Sequence, residues 1–298
     1  MKRLITICLV SMLLVTDYSM AGTWTTIDVP GAYSTEVYGI DGSNIVGQYH
    51  DSGLHGFLYN GSGWTTLDMP GALGRTYLCC IDGSNIVGYY ADVTGHGFLY
   101  NGSTWATLDM PGAYSTIAYD IDGSNIVGIC YNVTGRHGFL YNGSTWTTFD
   151  MPGALGNIYV SGINGSNIVG YYRDEGEQSC HGFLYNGATW TTLDMPGASS
   201  WTEALGIDGS NVVGSYWDGG VAGLHGFFYN GATWTTLDIP GAYGTEATDI
   251  DGSNIVGRYY DDSGSHGFIY TIPEPTTVLL LGLGALAISP RRHQNKKE

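Results

Sequence analysis

The chain has 298 residues, 27 Asp and Glu against 10 Lys and Arg, and a formal net charge of −17. Residues 22–271 contain no lysine, and their only basic side chains are Arg75, Arg136, Arg173 and Arg258. A surface so acidic repels phosphate backbones, which excludes nucleic acid as a partner. Gly, Tyr, Thr and Asn are abundant, but aromatic and β-branched residues recur at regular spacing, so the composition is not that of a disordered chain.

The N-terminus begins Met1-Lys2-Arg3, continues as an apolar run from Leu4 to Val15, and reaches Ser19-Met20-Ala21. A basic start, an apolar core too short to span a bilayer and small residues before the cut describe a cleaved secretory signal over 1–21.

Three landmarks then recur six times. Trp-x-x-x-Asp-x-Pro-Gly-Ala starts at Trp24, Trp64, Trp105, Trp146, Trp190 and Trp234. Ile-Asp/Asn-Gly-Ser-Asn-Ile/Val-Val-Gly starts at Ile40, Ile81, Ile121, Ile163, Ile207 and Ile250. His-Gly-Phe-x-Tyr starts at His55, His96, His137, His181, His225 and His266. A tryptophan spacing of 40 to 44 residues falls in the range of four-stranded propeller blades.

Each repeat reads as four strands. The first ends at an Asp-Gly turn, a strong hairpin signal. The second is Asn-Ile-Val-Gly, the third His-Gly-Phe-x-Tyr, and the fourth Trp-Thr-Thr-Leu-Asp-Met, stopped by a proline that cannot donate to a ladder. The first repeat opens on a fourth strand without a third before it. The last stops at a third strand without a fourth after it. The two orphans complete one unit, so the expected fold is all-β: a six-bladed β-propeller over 22–271, closed by N-terminal strand pairing with the last blade. A β-solenoid or β-prism-like stack is the alternative.

This pattern resembles the exported HAF-type repeats, which pair a Gly-rich Val-Gly strand with an aromatic strand. The resemblance implies an extracytoplasmic repeat protein with no assigned reaction.

Six His and six Asp at fixed spacing invite a metal or catalytic reading, but register argues for fasteners. A four-residue turn sets Tyr59 opposite Trp64, Phe57 opposite Thr66 and His55 opposite Asp68, all on one face. The same count pairs His96 with Asp109, His137 with Asp150, His181 with Asp194 and His225 with Asp238. The sixth pair, His266 with Asp28, crosses between the chain ends. One His and one Asp per repeat lack the three or four converging ligands that zinc needs. The arrangement is similar to the His, Asp and Trp network of WD-repeat propellers. No metal, cofactor or catalytic residue is expected.

The Asp of each Asp-Gly turn reads as turn chemistry. Cys79, Cys80, Cys130 and Cys180 do not recur between repeats and read as incidental, with a Cys79 or Cys80 bridge to Cys130 left open. Variation concentrates in the loops between second and third strands and in the connections between repeats. Asp174, Glu177, Trp201 and Trp217 are the candidate ligand face, because Trp beside carboxylates suits stacking on sugars. Asp174 with Glu177, and Asp261 with Asp262, are the acid pairs a glycosidase would draw on, and nothing in the sequence positions them.

The C-terminus, 272–298, carries Pro273-Glu274-Pro275, an apolar stretch from Thr276 to Ser289, and Arg291, Arg292, Lys296 and Lys297. These three ordered parts closely resemble the PEP-CTERM sorting tail. The resemblance implies transient anchoring in the inner membrane with the basic end inside, in keeping with the positive-inside rule. It further implies processing by an exosortase and delivery to the cell surface or extracellular matrix of a Gram-negative bacterium. Two functions follow as expectations: a non-catalytic surface protein binding exopolysaccharide or protein partners, and, as the alternative, an extracellular hydrolase of glycans or phosphoesters.

Overall fold

The computed structural model describes residues 22–273, apart from 73–74, 93, 155–157, 175–178 and 221–222. Residues 23–271 form one compact unit. The expected signal segment and most of the expected sorting tail lie outside the described residues.

Strand β1 (Thr23–Ile27) opens the chain. A four-stranded antiparallel run follows: β2 (Ser34–Asp41), β3 (Asn44–His50), β4 (Leu54–Tyr59) and β5 (Trp64–Thr66). The same run recurs as β6–β9 within 76–108, β10–β13 within 115–149, β14–β17 within 158–193 and β18–β21 within 201–237. Three further strands close the sequence: β22 (Gly244–Asp251), β23 (Asn254–Asp261) and β24 (Gly264–Thr271). Their fourth is β1, which pairs antiparallel with β24 and sets Trp24 opposite Tyr270. Single parallel bridges, Cys180 to Trp201 and Leu224 to Gly244, join the last eleven strands and β1 into one twelve-stranded sheet. Four-stranded antiparallel sheets packed in sequence are the architecture of a β-propeller. The outer strands are shorter than the sequence pattern implies: β9 (Trp105–Leu108) stops before Asp109 and Met110, which already belong to the connection.

The apolar core lies between neighbouring runs. Phe57, Phe98, Phe139, Phe183, Phe227 and Phe268, one from each third strand, are all essentially inaccessible. Burying a phenylalanine side chain contributes roughly 1.5–3 kcal/mol. One cluster joins Cys80 and Val87 to Ala118, Ile121 and Phe139 of the following run. Another joins Val37, Ile40 and Phe57 to Ile27 and Val256 from the two ends of the chain.

The turn carboxylates also link runs. Asp41 accepts from the Gly83 N–H at 2.7 Å, Asp82 from Gly123 at 2.6 Å, and Asp122 from Gly165 at 2.5 Å. Asn164 accepts from Gly209 at 3.1 Å and Asp208 from Gly252 at 2.9 Å. Asp251, in the last run, accepts from Gly42 in the first at 2.7 Å. The repeated Asp therefore does more than favour a turn: it holds the neighbouring turn through a charge-assisted hydrogen bond.

The six His–Asp pairs lie at hydrogen-bond distance. His55 Nδ1 is 2.7 Å from Asp68, His96 is 2.9 Å from Asp109, and His137 is 2.8 Å from Asp150. His181 to Asp194 and His225 to Asp238 are 3.0 Å, and His266 to Asp28 is 2.8 Å. Nε2 of His96, His137 and His266 meets Thr94, Thr134 and Ser263 at 2.8 Å, tying the loop before each third strand to the same ring. The described cysteines are all free thiols. Cys80 and Cys130 share one apolar cluster, but the bridge left open by the sequence is not formed.

Replacing Asp28 by Ala removes the acceptor for His266 and for the Gly267 N–H. A loss of about 1 kcal/mol is expected, which lowers the melting temperature by about 2–4 °C in a domain of this size. Thermal denaturation of the variant checks this, and an unchanged midpoint refutes a fastening role for the pair.

Candidate functional site

The inner strand of each run carries a β-bulge at one position. Pairing skips from Val37 to Gly39, Leu78 to Cys80, Ala118 to Asp120, Val160 to Gly162, Ala204 to Gly206 and Ala247 to Asp249. The residues skipped are Tyr38, Cys79, Tyr119, Ser161, Leu205 and Thr248. A bulge adds a residue that faces no partner and re-aims its side chain. All six of these side chains line one cavity of about 260 Å³ where the inner strands converge.

Two other sets complete the lining. Tyr77, Tyr159, Glu203 and Glu246 stand two residues before a bulge, and Tyr89, Tyr171 and Arg258 come from the second strands. Tyr77 stacks on Tyr89 at 4.3 Å and Tyr159 on Tyr171 at 4.4 Å. Burial pushes the phenols of Tyr38, Tyr89, Tyr119 and Tyr171 upward, so they stay neutral donors at physiological pH.

The bulge is made room for by glycine. A Cβ on Gly47, Gly88, Gly128, Gly170, Gly214 or Gly257 would lie 1.9–2.1 Å from the carbonyl oxygen of residue 36, 77, 117, 159, 203 or 246. This is why the second strand reads Ile/Val-Val-Gly in every copy.

Charge concentrates at the cavity. Arg258 donates to Glu36 at 2.6 Å and to Glu246 at 2.8 Å, so one guanidinium joins the first and last runs. Tyr38 and Gln48 also donate to Glu36, at 2.6 and 2.9 Å. Burial alone would raise the Glu36 carboxyl, but Arg258 and these donors outweigh it and hold it below the usual range. Glu203 shifts the other way: burial lifts it to about 7, against a hydrogen bond from Trp201 and with added repulsion from Glu246. Arg136 lies over the Tyr159 ring at 3.6 Å, and Arg173 is 5.0 Å from the Trp201 ring. Three of the four arginines of 22–271 thus flank one cavity in an otherwise acidic domain.

Beneath the bulges the structure tightens. Asp120 accepts from the Ile121 and Ile163 N–H groups, and Asp249 from Ile250 and Ile40. Both are buried, and Cys80 lies between them with its sulfur 4.0 Å from Asp249. Burial lifts the Asp120 carboxyl to about 6 and raises Asp249 in the same direction.

Of the residues singled out from the sequence, Trp201 and Trp217, expected in or beside the connections, are strand ends bordering them. They face each other as the first residue of β18 (Trp201–Asp208) and the last of β19 (Asn211–Trp217). With Ser200, Ser215 and Leu224 they line a cleft of about 540 Å³ that shares Glu203, Glu246 and Arg258 with the tyrosine-lined cavity. Asp174 is not among the lining residues; it accepts from the Ser179 N–H at 3.0 Å within its own loop. Glu177 lies outside the described residues, as do Glu274, Pro275, Arg291 and Arg292. Asp262 bonds to Tyr243, and Asp261 caps Ser263 and meets His266, so the second acid pair is engaged in loop contacts. Among the described residues no three His, Cys, Asp or Glu side chains converge as metal ligands. The cavity itself escaped the sequence reading, although its signal was present: the columns of Glu36, Tyr38 and Gln48, like that of Gly39, change chemical type between the six copies.

Residues 271–292 match the PEP-CTERM protein-sorting motif. The motif implies export, recognition by exosortase sorting machinery and cell-surface sorting in a Gram-negative bacterium. No curated protein matches the chain. Among solved structures, putative TolB from Agrobacterium tumefaciens is similar at 12% identity and TM-score 0.53, covering 81% of this chain and 90% of that one. The Pyrococcus horikoshii acylaminoacyl peptidase is similar at 9% identity and TM-score 0.50, covering 85% of this chain; this chain spans about half of the peptidase, 47%. The β-propeller domain of the Trilobed protease from Pyrococcus furiosus aligns at 10% identity and TM-score 0.47, covering 80% of this chain and 96% of that domain. At these identities the likeness concerns the fold alone.

The buried acids predict a pH signature. Below about pH 4, Asp120 carries its proton in both folded and unfolded chains. Between about 4 and 6 the unfolded chain releases its proton first, so stability falls as pH rises; Glu203 extends the fall to about 7. Glu36 acts oppositely, contributing stability above its ordinary value of 4.5 that is lost on acidification. Melting temperatures across pH 4.5–6 are expected to fall less steeply for Asp120→Asn than for the parent chain. Equal slopes would contradict a raised Asp120.

Proposed function

We propose that the chain is an exported cell-surface or extracellular-matrix protein whose six-bladed propeller, spanning 22–271, binds exopolysaccharide without chemistry. In this reading 1–21 is removed on export, and 272–298 is held transiently in the inner membrane until the sorting machinery acts. Ring closure is supported by the β1–β24 pairing, by the Gly42 to Asp251 bond that completes the series of turn carboxylates, and by the Glu36–Arg258 ion pair.

The observation that carries the binding reading is the tyrosine-lined cavity opening beside Trp201 and Trp217. Aromatic faces stack on the apolar faces of sugars, while phenols, carboxylates and a guanidinium supply directed hydrogen bonds. The repeated scaffold holds these groups on strands rather than loops, which favours precise positioning. A hydrolase is the second reading, favoured by one observation: Glu203, raised to about 7, beside Glu246, which is held by Arg258. Two carboxyls in unlike environments are the usual arrangement for acid and base.

A glycan array run alongside a reducing-sugar release assay separates these. Binding without release, with at least a tenfold loss in Trp201→Ala, is expected. Release of sugar that is abolished in Glu203→Gln would replace the binding reading by hydrolysis. No binding to any glycan would refute both.

A further inference from the structure

We infer that the tyrosine-lined cavity is blind and takes the terminal sugar unit of a glycan, the chain leaving across the Trp201–Trp217 shelf. This rests on the glycan reading above and specifies how the ligand is engaged. The first observation is the floor. Cys80, Asp120 and Asp249 come from three different runs, and each is less than a tenth exposed. Cys80 reaches toward both acids, and each acid is anchored by two backbone N–H donors. The strands approach closely at this level: a Cβ on Gly39 would lie 2.7 Å from the Cys80 Cα, and one on Gly206 would lie 2.7 Å from the Asp249 Cα. These three line a separate cavity of about 120 Å³ beside the Asp-Gly turns and none of them lines the tyrosine-lined one, so this level parts the two.

The second observation is size. The cavity holds about 260 Å³, slightly below the roughly 300 Å³ at which small-molecule clefts begin. That suits one sugar ring rather than a threaded chain. The third is the exit. The larger cleft meets the cavity along Glu203, Glu246 and Arg258, and its far wall is the facing tryptophan pair. A second sugar unit would therefore stack on indole while the first sits among phenols.

The test uses the full chain, two pairs of probes that differ only in having ends, and further linear glycans read by chain length. Calorimetry is run with linear and cyclic β-1,2-glucans, with maltohexaose and α-cyclodextrin, and with cellohexaose, chitohexaose and polygalacturonate. For any series that binds, the linear form is expected to bind at least tenfold more tightly than the cyclic one. At equal mass, longer chains should saturate in proportion to chain ends. Ser161→Tyr is the blocking variant: Ser161 stands at the bulge position that Tyr38 and Tyr119 occupy in other runs, so the fold accepts tyrosine there. It is expected to weaken binding at least tenfold with an unchanged melting temperature. Equal affinity for linear and cyclic forms, or binding that survives Ser161→Tyr but is lost in Trp201→Ala, overturns end recognition and leaves glycan binding on the shelf. Absence of binding to every probe overturns the glycan reading and this inference together.

Discussion

In every run the inner strand bulges toward the centre and presses a carbonyl oxygen onto its partner strand. That carbonyl occupies the place where a Cβ would stand on Gly47, Gly88, Gly128, Gly170, Gly214 or Gly257. Any other residue forces the bulge to move, and overpacking of this kind costs about 1–3 kcal/mol or more per site. Most else follows from this contact. Because the bulge exists, alternation breaks just past its apex: Glu203 and Leu205 face the cavity, while Ala204 and Ile207 both pack in the core. Because the glycine takes up no space, the phenylalanine of the third strand packs beside it with essentially no exposure.

The scaffold and the site thus use different parts of one repeat. Positions that hold the sheets together, such as Gly128, Phe139 and the His137–Asp150 pair, recur in every copy. Positions that face the centre do not. Tyr38, Cys79, Tyr119, Ser161, Leu205 and Thr248 occupy one geometric place with five kinds of side chain. Six-fold repetition gives a symmetric frame, and its broken columns give an asymmetric cavity with acids toward the last two runs and phenols toward the others. Arg258 and its two glutamates stand where the chain's beginning meets its end, so the ion pair that shapes the cavity also joins the first and last runs.

Much of this was legible in the sequence. Period, strand order and the shared face of His55, Phe57 and Tyr59 with Asp68, Thr66 and Trp64 follow from alternation and turn length, which act locally. The pairing of β1 with β24 followed from counting orphan strands. The bulge did not, because it is a long-range consequence of packing and leaves no turn residue to mark it. Alternation counted back from Ile40 without a bulge puts Tyr38 on the core face, so the cavity is not legible from its variable columns and the candidate face falls on the loops. Trp201 and Trp217 are legible because they break the repeat, and they border the connections as strand ends. Asp120 and Asp249 stand where Gly39, Gly162 and Gly206 stand in other copies, but nothing local marks them as buried, since burial is set by neighbours from other runs.

A crystal structure of the protein soaked with an oligosaccharide that it binds tests the central claim most directly: that the bulged inner strands build the ligand site. The account predicts one sugar ring among Tyr77, Tyr119 and Tyr171, with the next unit against Trp201 and Trp217. A glycan seated on the outer strands or over the Asp-Gly turns, with the cavity unchanged, would contradict it.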